Sequence, residues 1–187
     1  MSAEEKLIQC FTQNDYAIGN IVDFDLRTDQ LFPLDFTETN KELTAPILGD
    51  TDLFSEWVTK QLSDAGCRYG IGGYNEHRTI YARSAHFDTT EEPRRLHLGV
   101  DIWGAAGTPI YNFYPATVHS FKFNDHYGDY GATIILKYQF DKQVIYGLFG
   151  HLNLDSLRNL VEGKVIAAGE QFARFGEPAE NGHWPPH

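Results

Sequence analysis

The stretch that decides the fold is Ala132-Thr133-Ile134-Ile135-Leu136-Lys137-Tyr138, which is followed after a short polar break by Val144-Ile145-Tyr146-Gly147-Leu148-Phe149. Both runs have the length of a strand and are rich in the β-branched and aromatic residues that strands favour. The preceding segment, residues 125–131, is polar and contains glycines, as hairpin turns do. We therefore expect neighbouring antiparallel strands in this part of the chain.

Similar runs of strand length recur after Gly70, separated by Gly, Asn, Asp and Pro. They lie at residues 78–82, 100–103, 109–112, 116–122 and 171–175. Many short strands at close spacing predict a domain built on antiparallel β-sheet. The expected fold class is therefore mainly β, or α+β overall once the helices are included. A short helical turn is expected within residues 154–161.

Two regions are predicted along the chain. Residues 1–84 are expected to form a mixed α/β extension of unassigned role, and residues 85–187 the β domain. The clearest local pattern in the extension is a helix over residues 52–65, which Asp52 is expected to cap and Gly66 to end. Its apolar residues recur at helical spacing and are Leu53, Phe54, Trp57, Val58 and Leu62.

The composition excludes several classes of function. A formal charge of −11 opposes binding to phosphate backbones and anionic membrane surfaces, so no nucleic-acid partner is expected. Two cysteines are too few for a Cys-rich zinc finger or a disulfide-dense scaffold. The first residues are acidic where a signal peptide is basic, and no long apolar run follows. We therefore expect no membrane insertion and, by default, a cytoplasmic protein; the sequence carries no indication of oligomeric state.

His97 and Asp101 are the first candidate site residues. On a straight strand they would lie roughly 13 Å apart, too far to hold one ion. The β-branched residues around Gly99 disfavour a helix, so a bend at Gly99 is the expected way to bring them together. Taken alone, this spacing is weak evidence for a metal site, because a buried His paired with an Asp is a common structural arrangement.

A set of further motifs follows these residues in order. They are Gly107-Thr108-Pro109-Ile110-Tyr111, Pro115-Ala116-Thr117-Val118, the run from Tyr146 through His151 to Asn153, the glycine-spaced segment 162–173, and Pro185-Pro186-His187. From His97 to His187, about half of the chain, this ordered set resembles the M23 family of zinc peptidases, of the LytM and lysostaphin type. The ordered set is more specific than any one of its motifs.

The resemblance implies a site and an activity. His97 and Asp101 would be Zn²⁺ ligands, and His151 and His187 would be the catalytic imidazoles. The third ligand would be the second His of an H-x-H motif that begins at His187, and it is expected beyond residue 187. The implied function is a zinc-dependent metalloendopeptidase, and the implied partner is a peptide or peptidoglycan substrate, with cleavage of cell-wall cross-links often at glycine-containing bonds.

Several alternatives stay open at this point. The chain could be a degenerate member of the fold that binds or regulates without catalysis. His97, Asp101 and a later His could instead form a facial triad for non-haem iron. His151 could be a core histidine, and His187 a solvated chain end. In the segment before the site, Asn75 or Glu76 could cover an open metal site, although an ion pair between Glu76 and Arg78 is the favoured interpretation. His183 is near enough in sequence to replace a ligand.

Overall fold

The computed structural model describes residues 2–78, 80 and 95–187 of the chain. The helices in this part are α1 (Ala3–Gln13), α2 (Ala45–Gly49) and α3 (Thr51–Ala65). The strands, in chain order, are β1 (Leu31–Leu34), β2 (Tyr69–Gly72), β3 (Glu76–His77), β4 (Leu96–His97), β5 (Asp101–Trp103), β6 (Pro109–Tyr111), β7 (Ala116–Asn124), β8 (Gly131–Phe140), β9 (Gln143–Leu152), β10 (Val165–Ile166) and β11 (Gln171–Arg174). The predicted mainly-β fold is confirmed.

The largest sheet is antiparallel and has the strand order β10-β7-β8-β9. The hairpin expected at residues 125–131 joins β7 to β8, and a short turn joins β8 to β9. One face of β8 is almost fully buried and forms the centre of the main core, as the two-residue period of a strand requires. The buried residues of that face are Ala132, Ile134, Leu136, Tyr138 and Phe140. Because one face is buried, a shift of register by one residue would expose this whole set.

A second sheet connects the N-terminal extension to the β domain. β1 lies parallel to β2, and β2 lies antiparallel to β5, with Gly72 opposite Asp101. A second core lies beside this sheet, where Phe36 and Phe54 of the extension pack against the ring of Trp103. The extension therefore packs directly against the strand that carries Asp101.

The helix predicted over residues 52–65 is α3, but its N-cap is Asp50 and not Asp52. The carboxylate of Asp50 accepts hydrogen bonds from the backbone N–H groups of Asp52 and Leu53 while its own backbone stays extended. Asp52 already has helical geometry, so it contributes only a negative charge near the positive end of the helix dipole. Gly66 ends the helix with φ 65°, as predicted.

Other sequence predictions have mixed outcomes. The helical turn expected within residues 154–161 is a 3₁₀ turn at Leu154–Leu157. The strand expected at residues 78–82 lies mainly outside the described residues. Among the helices that the structure describes, none is long and apolar enough to cross a membrane.

Replacing Asp50 with Ala should lower the free energy of unfolding by about 1 kcal/mol, because two backbone N–H groups of α3 lose their acceptor. Replacing Asp52 with Ala should cost less, about 0.3–1 kcal/mol, because only a charge–dipole interaction is lost. Urea unfolding followed by circular dichroism measures both. A larger loss for the Asp52 variant would contradict the assignment of the cap.

Candidate functional site

The four residues selected by the resemblance line one cavity of about 660 Å³. His97 and Asp101 lie at β4 and β5, His151 lies near the end of β9, and His187 belongs to the C-terminal segment. Residues far apart in sequence are thus brought to the same site. The structure shows this geometry, while the roles of the four side chains stay predictions.

His97 and Asp101 meet because the chain bends at Gly99, as expected from the sequence. The distance from His97 Nε2 to Asp101 Oδ1 is 3.3 Å. A Cβ atom added to Gly99 would lie only 3.0 Å from His97 Nε2, which is tighter than nearly all such contacts. The absence of a side chain at residue 99 therefore allows the imidazole to fold back over the bend toward the carboxylate.

Each of the three imidazoles is oriented by a backbone carbonyl. The Nδ1 atoms of His97, His151 and His187 lie 3.0, 2.7 and 2.8 Å from the carbonyl oxygens of residues 73, 181 and 185. A carbonyl oxygen can only accept, so Nδ1 must be the donor in all three. In the neutral ring the lone pair is then on Nε2, which is the tautomer that metal sites and proton transfer use.

An irregularity in β9 places His151. Ala132 pairs with Leu152 and Ile134 pairs with Phe149, so Gly150 and His151 together face a single residue of β8. His151 adopts φ 56°, and its backbone N–H donates to the carbonyl of Tyr130. Such a bulge changes the direction of a side chain that a regular strand would point elsewhere. The bulge explains why a residue in an apolar strand reaches the cavity.

His187 is packed between aromatic groups. Its ring stacks on Trp103 with centroids 4.1 Å apart and planes at 16°, and it lies 4.1 Å from the ring of His151. Its segment is held by a hydrogen bond from the N–H of Gly104 to the carbonyl of Pro186. The structure therefore places His187 inside the site and not as a solvated chain end.

Arg78 is a functional candidate that the site prediction did not include. Its Nη1 atom is hydrogen-bonded to Asp101 Oδ2, and its Nε lies 2.7 Å from Glu76 Oε2. The guanidinium is 2% exposed and lies over the ring of Phe36. The expected Glu76–Arg78 pair is present, but it is buried, and Arg78 also pairs with Asp101. The sequence indicated the first pair and could not indicate the second.

The carboxyl of Asp101 is strongly acidic. Burial alone would raise its pKa, but the neighbouring imidazole of His97 and the positive charge of Arg78 hold the pKa well below its usual value. Asp101 is therefore a carboxylate at every physiological pH. With Oδ2 engaged by Arg78, Oδ1 is the oxygen that faces His97.

Asn181 is the second positioning residue that sequence reasoning missed. Its carbonyl accepts from His151, and its side-chain amide donates to the carbonyls of Gly176 and Trp184. Its Oδ1 accepts from the backbone N–H of Trp184, and the residue is fully buried. One asparagine thus orders the loop that covers His151. No motif signalled it, because its partners are backbone groups.

The other histidines that the structure describes are not part of the cavity lining. His77, His119, His126 and His183 are exposed, and His183 stacks on Tyr127 at 5.4 Å, so it is not positioned to replace a ligand. Glu76 is engaged by Arg78 and by the backbone N–H of Phe36. His86, expected to be a surface histidine, lies outside the described residues.

The pair His97 and Asp101 fits two positions of a zinc site. Two atoms that are each about 2.0–2.1 Å from a tetrahedral zinc ion lie about 3.3 Å apart, the separation found here. Within residues 2–78, 80 and 95–187, no group of three or more His, Cys, Asp or Glu is arranged to hold a metal. The cavity therefore presents one His–Asp pair at this separation and two further imidazoles.

Both of those further imidazoles are neutral near pH 7. Burial, with the neighbouring His151 as a smaller cause, lowers the pKa of His187 to about 3. Burial also lowers the pKa of His151, although the hydrogen bond to Asn181 opposes that change. Each ring can therefore accept a proton or a hydrogen bond at Nε2.

Comparison of the chain with protein-family models, with curated proteins and with solved structures finds no match. The M23 resemblance accordingly rests on the sequence motifs. The site geometry stands beside it as a separate observation.

Replacing Arg78 with Met should lower the free energy of unfolding by about 3–5 kcal/mol, because Asp101 and Glu76 would keep buried charges without their cation. Arg27, which is exposed and pairs with Asp25, provides the matched control. Arg27→Met should leave the free energy of unfolding almost unchanged, because an exposed ion pair contributes little. Equal losses of stability in urea unfolding would show that the buried network is unimportant.

The apo protein should lose stability as pH falls below 6.5. The unfolded chain protonates His187 with a pKa near 6.5, whereas the folded pKa is about 3, so protons favour unfolding between these values. Unfolding measured with a chelator present at pH 7 and pH 4.5 should show a smaller pH-dependent loss for His187→Gln than for the wild type. His126→Gln, which removes an exposed histidine, is the control; an identical loss in all three proteins would contradict the prediction.

Proposed function

We propose that this protein is a zinc-dependent metalloendopeptidase of the M23 type. The observation that carries the proposal is the 3.3 Å separation of His97 Nε2 and Asp101 Oδ1 in the cavity that His151 and His187 also line. The motif order in the sequence supports the same assignment. His97 and Asp101 would hold the ion, and in the family that the motifs resemble the third ligand is the second His of an H-x-H motif whose first His corresponds to His187.

Two histidines of the chain would carry out the proton transfers of peptide hydrolysis. Bound zinc would supply a Lewis acid that activates water and polarises a peptide carbonyl. His151 and His187 are neutral and carry lone pairs on Nε2, so one can take a proton from the attacking water and later return it to the leaving amine. Their ring centroids lie 4.1 Å apart, so two protonated rings would repel each other.

The proposed substrates are peptides, and the resemblance suggests peptide cross-links of bacterial cell wall. The cavity is large enough for several residues of a peptide. The charge of −11 argues against long anionic polymers as the main recognition element.

A second candidate function is a binding or regulatory module on the same fold. The observation that favours it is the ion pair between Asp101 and buried Arg78, which satisfies the carboxylate without any metal. A protein of this kind would bind peptides in the cavity and leave them intact.

Zinc binding separates the two functions. The 187-residue chain should bind zinc weakly, since two ligands and water hold the ion poorly, and His97→Ala should abolish that binding. Adding Leu-His after His187 should give tight, stoichiometric zinc binding and peptide hydrolysis if the H-x-H assignment is right. Metal analysis of this extended chain also tests iron against zinc.

An extension of Leu-Ala is the matched control, because it lengthens the chain without adding a ligand. His151→Ala in the Leu-His chain should keep zinc and lose hydrolysis. If the Leu-His chain binds no more zinc than the Leu-Ala chain, the peptidase proposal fails and the binding module is favoured.

A further inference from the structure

Several large aliphatic side chains of the cavity lining are more than half exposed. Leu98 and Val100 lie in the bend between His97 and Asp101 and are 65% and 58% exposed. Leu148 lies on β9 just before the bulge that carries His151, and it is 52% exposed. All three line the cavity. The two segments that supply the site residues therefore also present apolar surface to whatever enters.

The charges in the lining do not match an acidic ligand. Among the described residues that line the cavity, Arg78 is the one with a permanent positive charge, and it is engaged by Asp101 and Glu76. Asp129 adds a carboxylate to the same lining. A peptide carboxylate would therefore be repelled by the metal-free cavity, because the described lining has a net negative charge and its cation is already paired.

The size of the cavity favours a ligand with a large apolar side chain. A volume of about 660 Å³ is within the range of sites that enclose a sizeable ligand. A run of glycines has no side chains with which to cover Leu98, Val100 or Leu148. A substrate with a large apolar side chain would cover them, and burying such a side chain contributes roughly tenfold to a hundredfold in affinity.

We infer that the site selects peptides with a large uncharged apolar side chain, of the leucine or phenylalanine class, beside the bond presented to His151 and His187. Leu98, Val100 and Leu148 are the residues that determine this specificity. The inference rests on the proposed peptidase function, and it assigns a substrate class different from the glycine-containing bonds that the resemblance suggests.

Peptide binding to the chelator-treated 187-residue chain tests the inference without catalysis. Three fluorescein-labelled probes are compared by anisotropy: pentaglycine amide, and the same peptide with leucine or with glutamate at its centre. The leucine peptide should bind about tenfold more tightly than pentaglycine, and the glutamate peptide no more tightly than pentaglycine.

Variants assign the preference to its residues. The double variant Leu98→Ser, Leu148→Ser should reduce the leucine advantage to about threefold or less, because most of the apolar contact is lost. Leu26→Ser is the matched control, since Leu26 is 85% exposed and is not part of the cavity lining. It should keep the full advantage. Circular dichroism confirms that each variant is folded.

Equal affinity for the leucine and glycine peptides would overturn the inference, as would tighter binding of the glutamate peptide than of pentaglycine. So would a leucine advantage that is unchanged in the double variant. Failure of the proposed function gives a different result. A leucine preference in binding, with no cleavage of any peptide by the zinc-loaded Leu-His chain, supports the inferred side-chain preference and contradicts the peptidase function. Cleavage of pentaglycine, with equal binding of the leucine and glycine peptides, supports the peptidase function and contradicts the inferred preference.

Discussion

The buried guanidinium of Arg78 is the interaction on which the site depends. It joins Asp101 of β5 to Glu76 of β3, and Glu76 in turn accepts the backbone N–H of Phe36 in the N-terminal extension. A charge that is 2% exposed is tolerated only when its partners are in place. The extension is thereby coupled to the carboxylate that the metal would use. A Cβ at Gly72 would lie 2.5 Å from Arg78 Nη2, so the neighbouring strand is shaped around the same group.

The histidines are ordered by a different and simpler device. Each donates Nδ1–H to a backbone carbonyl, so the three rings share one tautomer that backbone groups select. These carbonyls belong to loops, so their positions depend on the contacts that hold each loop in place. In the loop beside His151 those contacts come from Asn181, whose side-chain amide donates to backbone carbonyls of its own segment. Catalytic geometry here would rest on loop structure as much as on the sheet.

Local patterns predicted about half of the described helices and strands. The strands β7, β8 and β9 follow from runs of β-branched and aromatic residues, and α3 follows from its apolar spacing and Gly66. The cap was misplaced by two residues because both Asp50 and Asp52 are good caps, and only the backbone conformation distinguishes them. The parallel pairing of β1 with β2 had no local signal, since it depends on contacts between distant segments. The same holds for Arg78 with Asp101.

The sequence by itself determined the class of fold, the bend at Gly99 and the set of four residues that the resemblance selects. Those conclusions depend on residue types and short spacings, which local sterics and patterning control. Only the tertiary structure decided that His151 leaves its strand at a bulge and that His187 stacks on Trp103 beside it. It also decided that Asp101 is paired with a buried arginine. These features depend on which segments pack together, and packing is a property of the whole chain.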